Sequence, residues 1–424
     1  MSLTLLAVFM GLMAAGVPLA IGLGIASVAS LVIFTDIPVS LIIQSMYSSM
    51  NSFVMVAVPL FILTGILMDE GGVAEKIFNF ANALVGWSHG GLGNVTVLSS
   101  VIFAGMSGSS VADVASVGRI SISAMSKNGY PLGYASALAV ITSVLATIIP
   151  PSILMVIAGS VANISIGQAL FAGVVPGVIV SAVFMLYNYY YCRKNRTGVK
   201  VRFDLKNLGK QFVVAIPALL VPVILLGGML SGWFTPTEAA AIAVLYTLII
   251  SLFVYRSIKF RQLPKIFFQT AKMTGTILFI AVTAKPAGWI FEYDGLPAKV
   301  AAAIGGLTQD PLTIMLILYA FLVLVGMFMD ATAAIYILVP ILLPTVVSVH
   351  IDPVFFVVFL VITLALGLVT PPVGVCLYAA TSVSGLRLET LIMNTVPWLI
   401  IMAITLLLLI IFPWIITGPI AWFF

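Results

Sequence analysis

The sequence predicts an all-α polytopic membrane protein. It further predicts two inverted repeats of about five spans each, two opposed re-entrant helical hairpins and two broken helices. Three observations lead there. Of the 424 residues, 62% are hydrophobic and only 7% charged, in long uncharged runs that no soluble core needs. Twelve of the 18 Lys and Arg residues crowd into two loops. A pattern of Gly and Pro recurs at a constant offset of 221 residues. The ten-residue alternation of an outer-membrane barrel is absent.

The first 34 residues would form a helix of ~51 Å at 1.5 Å per residue, too long for a ~30 Å hydrocarbon core. Gly16-Val17-Pro18 is read as a break, giving spans near 1–15 and 18–34. No Lys or Arg precedes this run, so no cleaved secretory signal is expected. Further spans are expected near 53–69, 131–165 and 167–192, then near 211–230, 235–255, 273–290, 353–384 and 388–417. Residues 91–126 and 311–348 each hold two apolar stretches around a polar or glycine-containing middle, and each is read as a hairpin that enters and leaves on one side.

Arg193, Lys194, Arg196, Lys200, Arg202, Lys206 and Lys210 fill one basic loop, and Arg256, Lys259, Arg261, Lys265 and Lys272 the other. The positive-inside rule accounts for both, rather than nucleic acid or an anionic ligand. Both loops are then cytoplasmic, and the phospholipid bilayer is the chain's surroundings. Leu263, Ile266, Phe267 and Phe268 suggest a helix lying in the interface. Cys192 and Cys376 read as small apolar residues, and His89 and His350 lie too far apart for a His/Cys metal cluster.

At the offset of 221, Thr142 meets Thr363, Pro150-Pro151 meets Pro371-Pro372, Pro176 meets Pro397 and Gly105-Met106 meets Gly326-Met327. "GVAEKI" at 72–77 also resembles "GLPAKV" at 295–300. The matching prolines carry most weight, because each breaks a helix at a defined place. The expected organisation is a first repeat over 1–192, a basic cytoplasmic linker over 193–210 and a second repeat over 211–424. Five spans per repeat is odd, so the copies run in opposite senses, a signature of secondary transporters.

The chemistry is expected where hairpin tips meet proline breaks. Each proline removes a donor and clashes with a carbonyl one turn back, freeing oxygens near 146–149 and 367–370. Several close neutral oxygens suit Na⁺. One cation site is expected between tip 105–110 and break 146–150, using Gly105, Ser107, Ser110, Ala146, Ile148 and Pro150. A second is expected between tip 326–330 and break 367–372, using Gly326, Gly367, Thr370 and Val373. Asp113 and Asp330 are the carboxylates at membrane depth, where an ionised group needs a partner or a role. Arg119, six residues after Asp113, falls off the i+3/i+4 positions for direct pairing. Lys285, Glu292 and Asp294 read as a solvated interfacial group at a span end.

"GMSGSSVADVASVG" (105–118), "IIPPSI", "FTPTEAAAIAVLY" (234–246) and "TPPVGVCLYAATSVS" (370–384) resemble the large membrane subunit of TRAP transporters, the DctM/SiaM type, across essentially the whole chain. The resemblance implies an elevator-type, Na⁺-coupled importer of organic acids such as sialic acid or C4-dicarboxylates, carrying two or more Na⁺ ions. It also implies a small four-helix membrane subunit, a periplasmic substrate-binding protein and a place in the bacterial inner membrane. Carried over residue by residue, it places substrate at Ser107, Ser109 and Asp113 on the first tip, Asp330 on the second, and Pro151 and Pro372 at the breaks. Two rival readings exist. Gly105-Met106-Ser107-Gly108 fits the GxSG nucleophile turn of an intramembrane serine protease, which needs a base in hydrogen-bond reach of Ser107. An ion channel needs a continuous pore, against which two hairpins opening to opposite sides argue.

Overall fold

The computed structural model describes residues 1–51, 53–198 and 203–423. Lys200 and Arg202 of the first basic loop lie outside the described residues. Those described are helical throughout their regular structure, with no strand among them. Seven helices are long and apolar enough to cross a membrane, or up to nine if each sharply bent pair counts as one span.

The chain opens with α1 (Ser2–Ala14), α2 (Leu19–Phe34) and α3 (Ser40–Met50), followed by α4 (Ala57–Glu70) and α5 (Val73–Val85). The break at 15–18 is present: Gly16 takes a positive φ of 79° and Pro18 leads into α2. The α4–α5 pair is bent by 70° at Gly71-Gly72, where Gly72 is left-handed. The first hairpin follows as α6 (Gly91–Ser107), α7 (Ser110–Asp113), a π turn at Val114–Gly118 and α8 (Arg119–Lys127). The first broken helix is α9 (Leu132–Ser143) and α10 (Leu145–Ile148), then α11 (Ile153–Val161). Next come α12 (Ile166–Ala172), α13 (Val174–Asn195), α14 (Leu205–Leu230) and α15 (Pro236–Ile249).

The second half continues with α16 (Leu263–Tyr293) and α17 (Leu296–Leu307). A second hairpin is formed by α18 (Pro311–Phe328) and α19 (Ala331–Ser348), and a second broken helix by α20 (Pro353–Gly367) and α21 (Val375–Ser384). The chain ends in α22 (Leu388–Ile411), α23 (Trp414–Thr417) and α24 (Ile420–Phe423). The Pro150-Pro151 and Pro371-Pro372 peptide bonds are both cis.

Several starts are written in the sequence. "TPTEAAA" is a capping box: Thr235 Oγ1 accepts from the Glu238 N–H at 3.3 Å, and Glu238 Oε2 accepts from the Thr235 N–H at 2.8 Å. Pro236 takes the first helical position, where its missing donor costs nothing. Asp310 and Asp352 cap α18 and α20 more simply, accepting from the Thr313 and Phe355 N–H, and each is followed by proline.

One expectation is corrected. The stretch around Leu263, Ile266, Phe267 and Phe268 is not a separate interfacial helix. It is the start of α16, a single 31-residue helix, because nothing after Pro264 in its first turn interrupts the ladder there. Conversely, α3, α5 and α17 are helices where no element was expected. α5 and α17 each begin just after a left-handed glycine, Gly72 or Gly295.

The helices fall into two groups. The core group holds both hairpins and both broken helices. At its centre, every residue of α20 from Phe355 to Gly367 is buried, as is α9 from Tyr134 to Ser143. The outer group holds α1 to α5 and α14 to α17, in which α15 packs on α4 and α16 on α2 and α3; α16 and α17 also pack on α19 of the second hairpin. Two hydroxyls zip α15 and the turn after it to α14: Tyr246 of α15 donates to Pro217 O at 3.0 Å, and Tyr255 just beyond it to Val214 O at 2.9 Å. Lys265 and Glu70 meet at 3.7 Å at the end that carries the basic loops.

Candidate functional site

Each hairpin tip touches a proline break, backbone on backbone. At the first junction, α6 ends in Gly108, left-handed with φ 60°. A Cβ on Gly108 would collide with the Pro151 carbonyl, so only glycine lets the tip lie this close. Gly105 sits between the break and the outer group: an added Cβ would lie 3.8 Å from Pro150 O and 2.9 Å from Pro222 Cβ of α14. Ser109 is not free to turn inward, because its hydroxyl caps α7 by accepting from the Ala112 N–H at 3.4 Å. The Ser107 and Ser110 side chains are buried with no hydrogen-bond partner on either hydroxyl.

Across from them, Pro150 and Pro151 bring no N–H, so Ala146 O and Thr147 O lose their helical donors. Ser152 satisfies one of the two, donating its hydroxyl to Thr147 O at 2.7 Å while capping α11. Ile148 O is turned against Gly173, at the joint of α12 and α13. The first junction therefore gathers Ser107, Ser110, the backbone at Gly105 and Gly108, and the break at Ala146 to Pro151. Ile148 O points toward a different neighbour.

The second junction repeats the scheme with different atoms. Gly367 and Gly326 meet so closely that a Cβ on Gly367 would lie 2.6 Å from Gly326 Cα and nearer still to its carbonyl. The Val373 N–H donates to Met327 O at 3.2 Å, tying the break to the tip. Thr370 turns inward on its own helix end: its N–H reaches Gly367 O at 3.1 Å and its hydroxyl Leu366 O at 2.7 Å. Asp330, half-buried, caps α19 by accepting from the Thr332 N–H at 2.9 Å. Pro372 lies in the break between these groups.

Asp113 is fully buried behind the first tip. Its Oδ2 accepts from the Ser100 hydroxyl at 2.8 Å, and its Oδ1 has no partner. Ser100 also lies 3.3 Å from Thr142 Oγ1 of α9. α21 packs against α7 and α9, so the second broken helix reaches this place too. Arg119 is exposed, and among the described residues it makes no ion pair with Asp113. Ser100 and Thr142 were not foreseen, since only the fold brings residues 13 and 42 positions apart together.

The foot of the first hairpin is pinned by a satisfied amide. Asn188 of α13 donates to Gly90 O at 3.0 Å and to Asn94 Oδ1 at 2.7 Å, and accepts from the Tyr134 hydroxyl at 2.9 Å. Gly93 makes room for it, since a Cβ there would occupy the amide's place. This joins α6, α9 and α13 into one piece.

The protease reading fails on distance. His89 precedes α6 and Ser107 ends it, so 17 helical residues, about 25 Å, separate them. His350 follows α19, beyond the far end of the second hairpin. Neither imidazole reaches Ser107 to serve as its base.

The DctM component of the tripartite ATP-independent periplasmic transporter, as a family model, matches residues 6–415. The chain belongs to this family. It is 34% identical over 405 residues to the sialic acid TRAP transporter large permease protein SiaM of Vibrio cholerae, covering 96% of this chain and 95% of that one. It is also 34% identical to the C4-dicarboxylate TRAP transporter large permease protein DctM of Pseudomonas aeruginosa, covering 91% and 90%. Among solved structures it is similar in fold to the Alcanivorax borkumensis YdaH transporter, with a TM-score of 0.63 at 15% identity over 88% of this chain and 87% of that one. As a TRAP large permease it is a multi-span transporter subunit and not an enzyme. The resemblance drawn from the glycine-serine tip and the double prolines is thus the family itself, and those motifs form the two junctions.

Proposed function

We propose that this permease is the transport subunit of a Na⁺-coupled importer of an organic acid in the bacterial inner membrane. It works with a small four-helix membrane subunit and a periplasmic binding protein that delivers the acid. The observation that carries this reading is the first junction, where the tip that touches the break holds two buried, unpartnered hydroxyls, Ser107 and Ser110, and the break has lost two backbone donors. Buried oxygens without partners are costly, and a bound cation would satisfy them. Na⁺ fits such a set of neutral oxygens, and as the co-transported ion it would link the tip to the break. Asp113 would add charge from behind, and the second junction would supply carbonyls from Gly326, Gly367 and Thr370. The acid would lie between the tips, near Ser109, Asp330, Pro151 and Pro372. The sialic acid and C4-dicarboxylate named for its relatives support an organic acid without choosing one.

The hairpins and broken helices would form a moving block, and α14 to α17 with the first helices a scaffold. The inverted repeats read from the sequence would suit this motion, with α5 and α17 as their outer counterparts. The block is internally braced by Asn188, and its contact with the scaffold at the first tip is made by Gly65 against Ser107 and Pro222 against Gly105.

Uptake of labelled acid into proteoliposomes holding both membrane subunits, with the binding protein outside, tests the reading. An inward Na⁺ gradient should drive uptake, and Ser107→Ala should raise the Na⁺ concentration needed for half-maximal rate. Uptake indifferent to the gradient would remove the coupling.

A further inference from the structure

A cavity of about 680 Å³ opens away from both tips, between the two groups of helices. α3 and α16 supply one wall, and the end of α11 with α19 the other; its polar lining includes Gln44, Ser48, Asn163, Lys285 and Glu292, with Trp289 beside them. Its volume lies within the usual range for small-molecule sites.

Lys285 is the unexpected member. It stands eight residues before the end of α16, about 12 Å below it, in a helix apolar enough to span a membrane. Its side chain is exposed at the cavity wall. Among the described residues no carboxylate lies within 4 Å of it. The interfacial group expected of Lys285, Glu292 and Asp294 does not form: Asp294 turns away to the Ser2 N–H at 3.1 Å and to Lys299 at 3.6 Å. Glu292 lies seven residues beyond Lys285, two turns nearer the helix end and so nearer the mouth. α3 completes the lining with Gln44, Ser45, Ser48 and Ser49, the i, i+1, i+4, i+5 stripe of one helical face.

We propose that this cavity is a receiving chamber that holds the solute before it reaches the tips, with Lys285 binding its carboxylate. The proposal rests on the transporter reading and narrows the solute. One ammonium set deep and one carboxylate at the mouth suit a monocarboxylate with hydroxyl groups, which Glu292, Gln44 and Asn163 would bind. A dicarboxylate would set its second charge toward Glu292. The occupant touches both walls, one from each group, so it also senses their relative position.

The test is thiol labelling at Ser48→Cys in the purified full chain. Both native cysteines are buried, which keeps background low. The anionic reagent sulfonatoethyl methanethiosulfonate should react about fivefold faster, relative to a small free thiol, than its trimethylammonium counterpart, as for a unit charge roughly 8 Å away in water. Lys285→Gln should abolish that preference and Lys285→Arg keep it. D-gluconate should slow labelling more than succinate does, and Glu292→Gln should narrow that difference. Equal rates with the two reagents, or gluconate protection unchanged in Lys285→Gln, would overturn the proposal. So would a preference seen in detergent but lost in phosphatidylglycerol vesicles, which would mark a lipid-headgroup site. Labelling needs no gradient and no partner, so it is decided separately from the Na⁺ dependence of uptake.

Discussion

Gly367→Ala probes the contact on which the second junction rests. The new Cβ would sit 2.6 Å from Gly326 Cα, against an ordinary contact of 3.4–4 Å. Both partners are backbone, so no side chain can swing aside and the strands of chain must part by about 1 Å. Overpacking of this kind costs about 1–3 kcal/mol. The same retreat stretches the Val373 N–H to Met327 O bond, 3.2 Å in the native chain, beyond useful length, adding about 1 kcal/mol. Alanine returns about 0.5–1 kcal/mol of helix propensity at the end of α20. The net loss is about 1–3.5 kcal/mol, concentrated where the tip meets the break. Gly305→Ala in α17 is the matched control, because a Cβ there meets nothing within 4 Å. Thermal unfolding of the purified protein, followed by tryptophan fluorescence, should show Gly367→Ala melting well below wild type and Gly305→Ala at or above it. Proteoliposome uptake should fall only in the former. If the two variants melt together and both transport normally, the tip does not need to touch the break.

Asn188→Leu removes a buried amide and leaves Gly90 O, Asn94 and Tyr134 without their partner. A loss of about 2–4 kcal/mol is expected from the stranded groups, read as a lower unfolding midpoint and faster amide exchange at the start of α6. Thr235→Ala should cost about 1 kcal/mol through the lost cap of α15, and Thr235→Ser should recover most of it in the same melt. Asp113→Asn keeps a hydrogen-bond acceptor for Ser100 but removes the charge, so it should fold normally while losing Na⁺-dependent protection from unfolding; equal protection in the variant would assign Asp113 a purely structural role.

The sequence displayed the parts that punctuation creates. Pro150-Pro151, Pro371-Pro372 and the glycines near 105 and 326 interrupt apolar runs, and each interruption is a real helix end. What lay hidden had no such mark. α3 carries its message in a polar stripe, Gln44 to Ser49, rather than in a hydrophobic run, and so read as loop. α5 is short and amphipathic and α17 short and apolar, and only the echo of "GVAEKI" in "GLPAKV" hinted at them. α16 swallowed a supposed interfacial helix, since basic residues mark a membrane surface without saying whether the backbone bends there. The candidate site was legible as two places but not as two atom sets. Whether a freed carbonyl stays free depends on side chains such as Ser152, which closes Thr147 O, and on neighbours such as Gly173, against which Ile148 O lies. Lys285 was visible as a charge, but its depth and its open face needed the cavity.

The contact between the first tip and the outer helices has a mechanical side. A Cβ on Gly65 would lie 3.3 Å from Ser107 Cα, and one on Gly105 would lie 2.9 Å from Pro222 Cβ, so each contact sets a bare glycine against a small partner. Neither contact puts a long side chain into mesh with the opposite face. Under the moving-block proposal such contacts would act as a smooth bearing, with no side-chain notch along the direction of travel. A leucine at position 65 would convert the bearing into a ratchet tooth.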